Sequence, residues 1–243
     1  MNLHKFSFLI LLSTVTLFSK GMPKEYFEIK AKKKVKEYFF EYIYKLSESE
    51  NKKILQERNI VKSILNSNIL RINTKSENFS QFLKIKKKYR IKKLYDLKSY
   101  LSKIDTIPPA LCLAQAAVES GWGKSRFIAK ANNIFGHWTY NPNIGIIPER
   151  RDEGDRHLIR VFKSLQDSIS AYMLNLNRNP AYKSFQEKRY AIRLENRQAT
   201  GLELSQTMIN YSGIGKEYLS ILKNVIEKNN LEKYDKEFYQ QIK

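Results

Sequence analysis

The chain has 243 residues, enough for one large domain or two small ones. Hydrophobic residues make up 42% of it, which predicts a packed core and excludes extensive disorder. The formal net charge of +20 favours electrostatic contact with an anionic membrane or an acidic wall polymer.

The first 21 residues predict a secretory signal peptide. Lys5 gives a basic start, an apolar run follows from Phe6 to Phe18, and the small residues Ser19 and Gly21 come next. This apolar run is too short to span a bilayer comfortably. We expect cleavage after Gly21 and export to the periplasm or cell envelope. An uncleaved anchor and a buried helix are the alternatives.

Residues 22–100 are predicted to form a lysine-rich helical region. Apolar residues recur at steps of three and four in a first helix, at Phe27, Ala31, Val35, Phe39, Ile43 and Leu46. A second helix is predicted over NKKILQERNIVKSILN and a third over SENFSQFLKIKKKYRI, capped by Ser76.

The basic stretch 81–100 is interpreted as a solvated helix face. It holds eight basic residues and one acid, Asp96. Because no nucleic-acid-binding motif accompanies it, nucleic acid is not expected as a partner. Lysine also accumulates in AT-rich genomes, so the charge alone is weak evidence of function.

Residues 101–235 are predicted to form a domain, followed by a tail at 236–243. Pro108 and Pro109 predict the start of a helix over 110–119. That helix is apolar on nearly every side, which indicates burial, and Cys112 within it is expected to be a packing residue. Being the only cysteine, it excludes an intrachain disulfide.

Glycines, prolines and short β-prone pieces predict a two- or three-stranded lobe at about 132–162. Helices are predicted again from Ser164, an N-cap candidate, and at about 180–200, 203–210 and 216–229. The expected fold class is therefore mainly α (α+β), a helical domain with a small β lobe.

The strings PPALCLAQAAVESGWGKSRF, NNIFG, YMLNLNRNPAY and YSGIGKEYLSIL resemble the bacterial Bax-type proteins, within the wider class of mannosyl-glycoprotein endo-beta-N-acetylglucosaminidase-like domains. The resemblance extends from about Phe27 to Tyr234. It implies a lysozyme-like fold, hydrolysis of β-1,4 bonds in an N-acetylated glycan, and the glycan strands of peptidoglycan as substrate.

Glu119 is the candidate general acid. Hydrolysis of a glycosidic bond needs a carboxyl that is protonated near neutral pH. Burial among apolar neighbours and a position at a helix C-terminus both favour the neutral carboxyl. The alternative is a structural glutamate that bonds the backbone of the following turn.

The second carboxylate has two candidates, Glu149 and Glu153. In related glucosaminidases, a glutamate of the β lobe about thirty residues after the acid is taken as the base, and both positions fit that spacing. Glu149 is preferred because it follows Pro148 at the edge of a predicted strand. The third possibility is that neither residue is catalytic and that nearby arginines pair with both on a surface loop.

The resemblance places Tyr211 in the cleft, where a phenol could hydrogen-bond the 2-acetamido group or stabilise the developing cation. An aromatic residue that only fills the seam before the last helix is the alternative. The candidate substrate-binding residues are Trp122, Asn132, Asn133, Phe135, Trp138 and Tyr140. Packing is the alternative for the two tryptophans, and backbone hydrogen bonds are favoured for the two asparagines.

No metal or other cofactor is expected, because His137 and His157 are too isolated to form a metal site. The protein is expected to be a monomer. A lytic transglycosylase or muramidase on the same fold is the nearest alternative function. A non-catalytic wall-binding protein, held on anionic glycan by its lysines, is the alternative of a different class.

Overall fold

The computed structural model describes residues 21–66, 73–149 and 154–242. The predicted signal peptide, apart from Gly21, lies outside the described residues. In the described part of the chain the fold is mainly α with one small antiparallel sheet, as predicted.

The N-terminal region consists of α1 (Lys24–Glu28), α2 (Lys32–Leu65), α3 (Glu77–Lys88) and α4 (Leu97–Lys103). The prediction of Ser76 as the cap of the third helix is confirmed, because its side chain accepts a hydrogen bond from the Phe79 amide. The predicted start of the first helix is wrong. Phe27 lies in the separate helix α1 and is 62% exposed, and α2 begins only after Ala31.

The prediction of two helices between residues 32 and 66 is also wrong, since α2 is a single helix of 34 residues. The polar sequence LSESEN in its middle suggests a break between two helices, but the buried polar side chains there find hydrogen-bond partners inside the fold. The Asn51 side chain exchanges two hydrogen bonds with the backbone of Ile107, and the Ser47 hydroxyl donates to the Tyr44 carbonyl. Buried polar groups with partners do not interrupt a helix.

At the centre of the molecule lies α5 (Pro109–Ser120), in contact with α2 and with three helices from the C-terminal part of the chain. Every residue from Pro109 to Ala117 is buried, so the predicted buried helix is confirmed. The helix ends at Gly121, which adopts the left-handed conformation (φ 55°) that glycine permits at a helix C-terminus.

The β lobe consists of β1 (Trp138–Thr139), β2 (Gly145–Ile146) and β3 (Leu158–Arg160). β3 is the central strand and pairs antiparallel with both others, Trp138 with Ile159 and Gly145 with Arg160. Helix α6 (Arg126–Ala131) connects α5 to this lobe.

After the lobe come α7 (Leu165–Arg178), α8 (Lys183–Leu194), α9 (Gly201–Ser205), α10 (Lys216–Lys228) and α11 (Glu232–Gln241). Ser164 caps α7 through the Asp167 amide, as predicted. The residues predicted as a C-terminal tail belong largely to α11, where Phe238 and Tyr239 are buried. These two residues belong to the hydrophobic core.

The N-terminal helices share one hydrophobic core with the rest of the chain. A buried ion cluster connects the two predicted regions: Arg193 of α8 bonds both oxygens of Asp105 at 2.8 and 2.9 Å, and Arg58 of α2 lies 3.7 Å from the same carboxylate. No helix in the described residues is long and apolar enough to cross a membrane.

Candidate active site

The Glu119 carboxyl lies in the last turn of α5 and is half-buried. Its Oε1 accepts a hydrogen bond of 2.6 Å from the Tyr218 hydroxyl of α10. Burial raises the pKa of Glu119 above its usual value, and the hydrogen bond from Tyr218 opposes this by stabilising the carboxylate. The net direction favours a protonated carboxyl.

A chain of buried hydrogen bonds supports this carboxyl from behind. Gln115, one helical turn before Glu119, donates to the Tyr218 hydroxyl at 3.1 Å. The Tyr172 hydroxyl of α7 donates to the side-chain oxygen (Oε1) of Gln115 at 2.6 Å. The amide of Gln115 therefore fixes the direction in which the Tyr218 hydroxyl donates, which is toward Glu119.

Beside Glu119 lies an aromatic cluster of five rings, of which Tyr218 contacts the carboxyl: Phe135, Tyr172, Tyr182, Tyr211 and Tyr218. The rings of Tyr211 and Tyr218 are parallel with centroids 5.7 Å apart, and Tyr182 lies 6.0 Å from Tyr211. Phe135 stacks on Tyr172 at 3.9 Å. Tyr218 connects this cluster to the Glu119 carboxyl through its hydroxyl group.

The Tyr211 ring is half-buried beside Glu119. Burial and the nearby Glu119 charge raise the pKa of Tyr211 well above its usual value, so the phenol stays protonated. Among the described residues its hydroxyl has no hydrogen-bond partner. The phenol is thus a donor available to a ligand next to Glu119.

In the described part of the chain no hydrogen bond or ion pair joins Glu149 to Glu119. Its carboxylate is exposed and pairs with two cations of α6, Arg126 and Lys130, the latter at 3.2 Å. Glu153 lies outside the described residues.

The family of mannosyl-glycoprotein endo-beta-N-acetylglucosaminidases, named Glucosaminidase, matches residues 95–231. This range covers more than half of the chain and contains Glu119 and the whole aromatic cluster. The chain belongs to the glucosaminidase family.

Two curated relatives are also similar in sequence to this chain. Protein bax of Escherichia coli strain K12 is 32% identical to this chain over 143 residues, which cover 57% of this chain and 50% of the length of that protein. Exo-glucosaminidase LytG of Bacillus subtilis strain 168 is 28% identical over 139 residues, 52% of this chain and 46% of its own. The chain thus spans about half the length of these relatives. No solved structure shows a significant match.

In this glucosaminidase-family chain, the two asparagines predicted to bind substrate form hydrogen bonds with the backbone. Asn132 donates to the carbonyls of Phe162 and Lys163, and its side-chain oxygen accepts from the Gly21 amide. Asn133 donates to the carbonyls of His137 and Arg160 and accepts from the His137 amide. Both side chains are 1% exposed, so they hold the β lobe on the helices and do not present free amides to a ligand.

Trp122 packs against α2. Its ring makes edge contacts with Phe39 and Phe40, and the Lys36 ammonium lies 4.3 Å from the ring centroid. These contacts give it the packing role, which was the alternative to sugar binding. Phe135 is likewise buried, at 5% exposure, as part of the aromatic cluster.

Trp138 and Tyr140 are the exposed aromatic residues of the lobe, at 61% and 74%. The Trp138 ring stacks on His157 with centroids 4.0 Å apart, which leaves its other face open. Both remain candidates for contact with sugar. Among the described residues no group of three His, Cys, Asp or Glu side chains could hold a metal ion.

The sequence analysis missed Gln115, Tyr172, Tyr182 and Tyr218. A signal existed for Gln115, because a polar residue four positions before Glu119 lies on the same helix face inside an otherwise apolar run. No comparable signal existed for the tyrosines, which α7, α10 and the segment before α8 bring in from far along the chain.

Proposed function

We propose that this protein is a glycoside hydrolase that cleaves β-1,4 bonds next to N-acetylglucosamine in peptidoglycan, with Glu119 as general acid. Membership of the glucosaminidase family supports the reaction class. The name of its relative LytG, an exo-glucosaminidase, supports it further. The action on peptidoglycan is part of the proposal.

The observation that carries the proposal is the environment of Glu119: a half-buried carboxyl beside an aromatic cluster, with a raised pKa and a single strong donor, Tyr218. As the glycosidic bond breaks, Glu119 gives its proton to the leaving oxygen and becomes a carboxylate. The Tyr218 hydrogen bond is stronger to that carboxylate than to the neutral acid, so it stabilises the transition state more than the ground state.

Tyr211 is proposed to contact the sugar at the bond that is cut, because its phenol is a protonated donor beside Glu119. Trp138 and Tyr140 are proposed to bind the glycan strand farther along. Glu119 lines none of five cavities of about 300 to 710 Å³ on the described surface.

The test is digestion of purified peptidoglycan by the mature protein beside its Glu119→Gln variant, with products identified by mass. We expect loss of at least about 100-fold in rate in the variant, the usual scale for a general acid. Binding to peptidoglycan without turnover by the wild-type protein, unchanged in Glu119→Gln, would leave a wall-binding protein in place of an enzyme.

A lytic transglycosylase is the second candidate, and the position of Glu149 favours it. Glu149 is held by two cations of α6, and among the described residues no carboxylate charge contributes to the raised pKa of Glu119. A transglycosylase can work with a single acid, whereas a hydrolase uses a second carboxylate to activate water or to stabilise the cation.

Product mass separates the two candidates, since an anhydro sugar is one water lighter than a reducing end. The variants Glu149→Gln and Glu153→Gln test the base. If Glu153→Gln alone abolishes release of reducing ends, Glu153 is the second carboxylate. If neither variant has an effect and the products are anhydro sugars, the hydrolase proposal fails.

We also propose export to the cell envelope. The pattern of residues 1–21 supports it, as does a substrate that lies outside the cytoplasm. Detection of the mature N-terminus at Met22 in the envelope fraction, by N-terminal sequencing, tests both export and cleavage.

A further inference from the structure

A basic cavity of about 520 Å³ lies between the first two turns of α2 and the turn that joins α10 to α11. Five lysines line it: Lys32, Lys33, Lys36, Lys228 and Lys233. The segments that supply them are almost 200 positions apart in the chain, so the cluster exists only in the folded protein.

Within the described residues none of these five lysines has an ion-pair partner. Some lysines elsewhere in the described chain are paired, for example Lys88 with Glu57 at 2.8 Å and Lys52 with Glu48 at 2.8 Å, but many are not. The cluster is therefore distinguished by the convergence of five ammonium groups on one cavity. Glu37 is the single acid that lines the cavity, which leaves four positive charges in excess. Like charges placed this close repel one another, and an anion in the cavity would relieve that repulsion.

The floor of the cavity is apolar and fixed. The buried rings of Phe40 and Tyr234 form it, and Tyr234 is held by a ring contact of 4.8 Å with Tyr44. Asn230, at the rim, adopts the left-handed conformation (φ 49°), and its side-chain amide makes no hydrogen bond within the described residues. The cavity therefore offers ammonium groups, the side-chain amides of Asn229 and Asn230, and two aromatic rings.

We propose that this cavity binds a phosphate group carried on a small organic moiety. Lysines act as point charges that converge on a compact, multiply charged anion, whereas planar carboxylates are bound best by the fork of an arginine, and no arginine lines the cavity. The rings of Phe40 and Tyr234 would contact the carbon part of the ligand. An anionic phospholipid headgroup and a free phosphate ester both have this chemistry.

The site is separate from Glu119 and its aromatic cluster, with which it shares no residue. Two of its lining residues, Lys36 and Phe40, contact the ring of Trp122, which follows Glu119 by three positions in the chain. The proposal therefore does not depend on the glycosidase assignment, and its failure would leave that assignment unchanged.

The test compares two triple variants of the full mature protein that remove the same charge. The cavity variant is Lys33→Gln/Lys228→Gln/Lys233→Gln. The control is Lys45→Gln/Lys84→Gln/Lys87→Gln, three exposed lysines of α2 and α3 that lie away from the cavity. Matched far-UV circular dichroism and thermal midpoints establish that both variants are folded.

Two probes distinguish the ligand sources: glycerol phosphate measured by calorimetry, and sedimentation with phosphatidylglycerol–phosphatidylcholine vesicles. We expect the cavity variant to bind at least one probe about tenfold more weakly than wild type, while the control changes by less than about threefold, as expected for exposed charges. A specific loss with glycerol phosphate identifies a free phosphate ester, and a specific loss with vesicles alone identifies a lipid headgroup. Equal losses in the two variants, or no binding of either probe by wild type, overturn the proposal.

Discussion

At the scale of single residues, Glu119 and Tyr218 form a hydrogen-bonded pair. Burial pushes the pKa of Glu119 up, and the Tyr218 hydroxyl pulls it down by stabilising the charged form. A substitution of Tyr218 should therefore change the pKa of Glu119 without altering the carboxyl itself.

Tyr218→Phe is therefore expected to move the alkaline limb of the pH–activity profile to higher pH. The phenylalanine keeps the ring stack on Tyr211 and removes only the donor, so the pKa of Glu119 rises further. The rate at the optimum should fall by about 10- to 100-fold, the value of a hydrogen bond to a charged group. Rates on peptidoglycan across pH measure both effects. An unchanged alkaline limb would exclude Glu119 as the group that titrates.

Glu119→Gln is expected to stabilise the fold near neutral pH. Because the folded-state pKa of Glu119 is raised, ionisation of the carboxyl costs folding free energy, and this cost appears as pH rises from the usual value of 4.5 through the folded pKa. The variant avoids it and keeps an acceptor for Tyr218. Its thermal midpoint should exceed that of wild type at pH 7 and equal it below pH 4.5. Equal midpoints at both pH values would show that Glu119 is not desolvated.

At the scale of elements, α9 is held against the start of α5. One carboxylate of α11, Asp235, accepts from the Ala110 amide at 2.8 Å and from the Gly201 amide at 2.6 Å, and so caps both helices. A Cβ on Gly201 would lie 2.5 Å from the Leu111 nitrogen, so only glycine allows this approach. These contacts place α10, and with it Tyr218, beside Glu119.

Gly201→Ala should therefore force α9 away from α5 and lower the free energy of unfolding by about 1 to 3 kcal/mol, as overpacking does in well-packed cores. Chemical denaturation measures the loss. Gly213→Ala is the matched control, since a Cβ there meets nothing within 4 Å. If Gly201→Ala leaves the free energy of unfolding unchanged, α5 and α9 pack less closely than in this structure.

At the scale of the whole molecule, the buried carboxylate of Asp105 joins the N-terminal helices to the rest. Although burial opposes ionisation, Arg58 of α2 and Arg193 of α8 hold the pKa of Asp105 below its usual value. Arg189 bonds the carbonyls of Asp105 and Thr106 at 3.0 Å. We propose that the region 22–100, predicted as a lysine-rich helical region, unfolds together with the glucosaminidase domain.

Asp105→Ala should lower the free energy of unfolding by about 3 to 5 kcal/mol, because it leaves buried guanidinium groups without their counter-charge. The stability from Asp105 is present above pH 3.8 and is lost as pH falls through its lower folded pKa, so the difference between variant and wild type should shrink in strong acid. Glu187→Gln, at an exposed ion pair with Lys183, is the control and should change stability by less than about 1 kcal/mol. Two separate unfolding transitions would contradict a single cooperative unit.

Local sequence was enough to predict the elements whose signals are local. The proline pair before α5, the serine caps at Ser76 and Ser164, and the glycine-rich lobe each depend on residues within a few positions of one another. Glu119 was predicted for the same reason, because the apolar residues before it are its neighbours on one helix.

Only the tertiary structure decided what depends on distant partners. It showed α2 to be continuous through a polar stretch, because Ile107 satisfies Asn51, and it assigned Asn132 and Asn133 to the backbone of the lobe. It paired Glu149 with Arg126 and Lys130 of α6, and it brought the Tyr218 hydroxyl to Glu119. Composition and spacing carry no information about which buried polar group meets which, since that pairing is fixed by how the helices pack around α5.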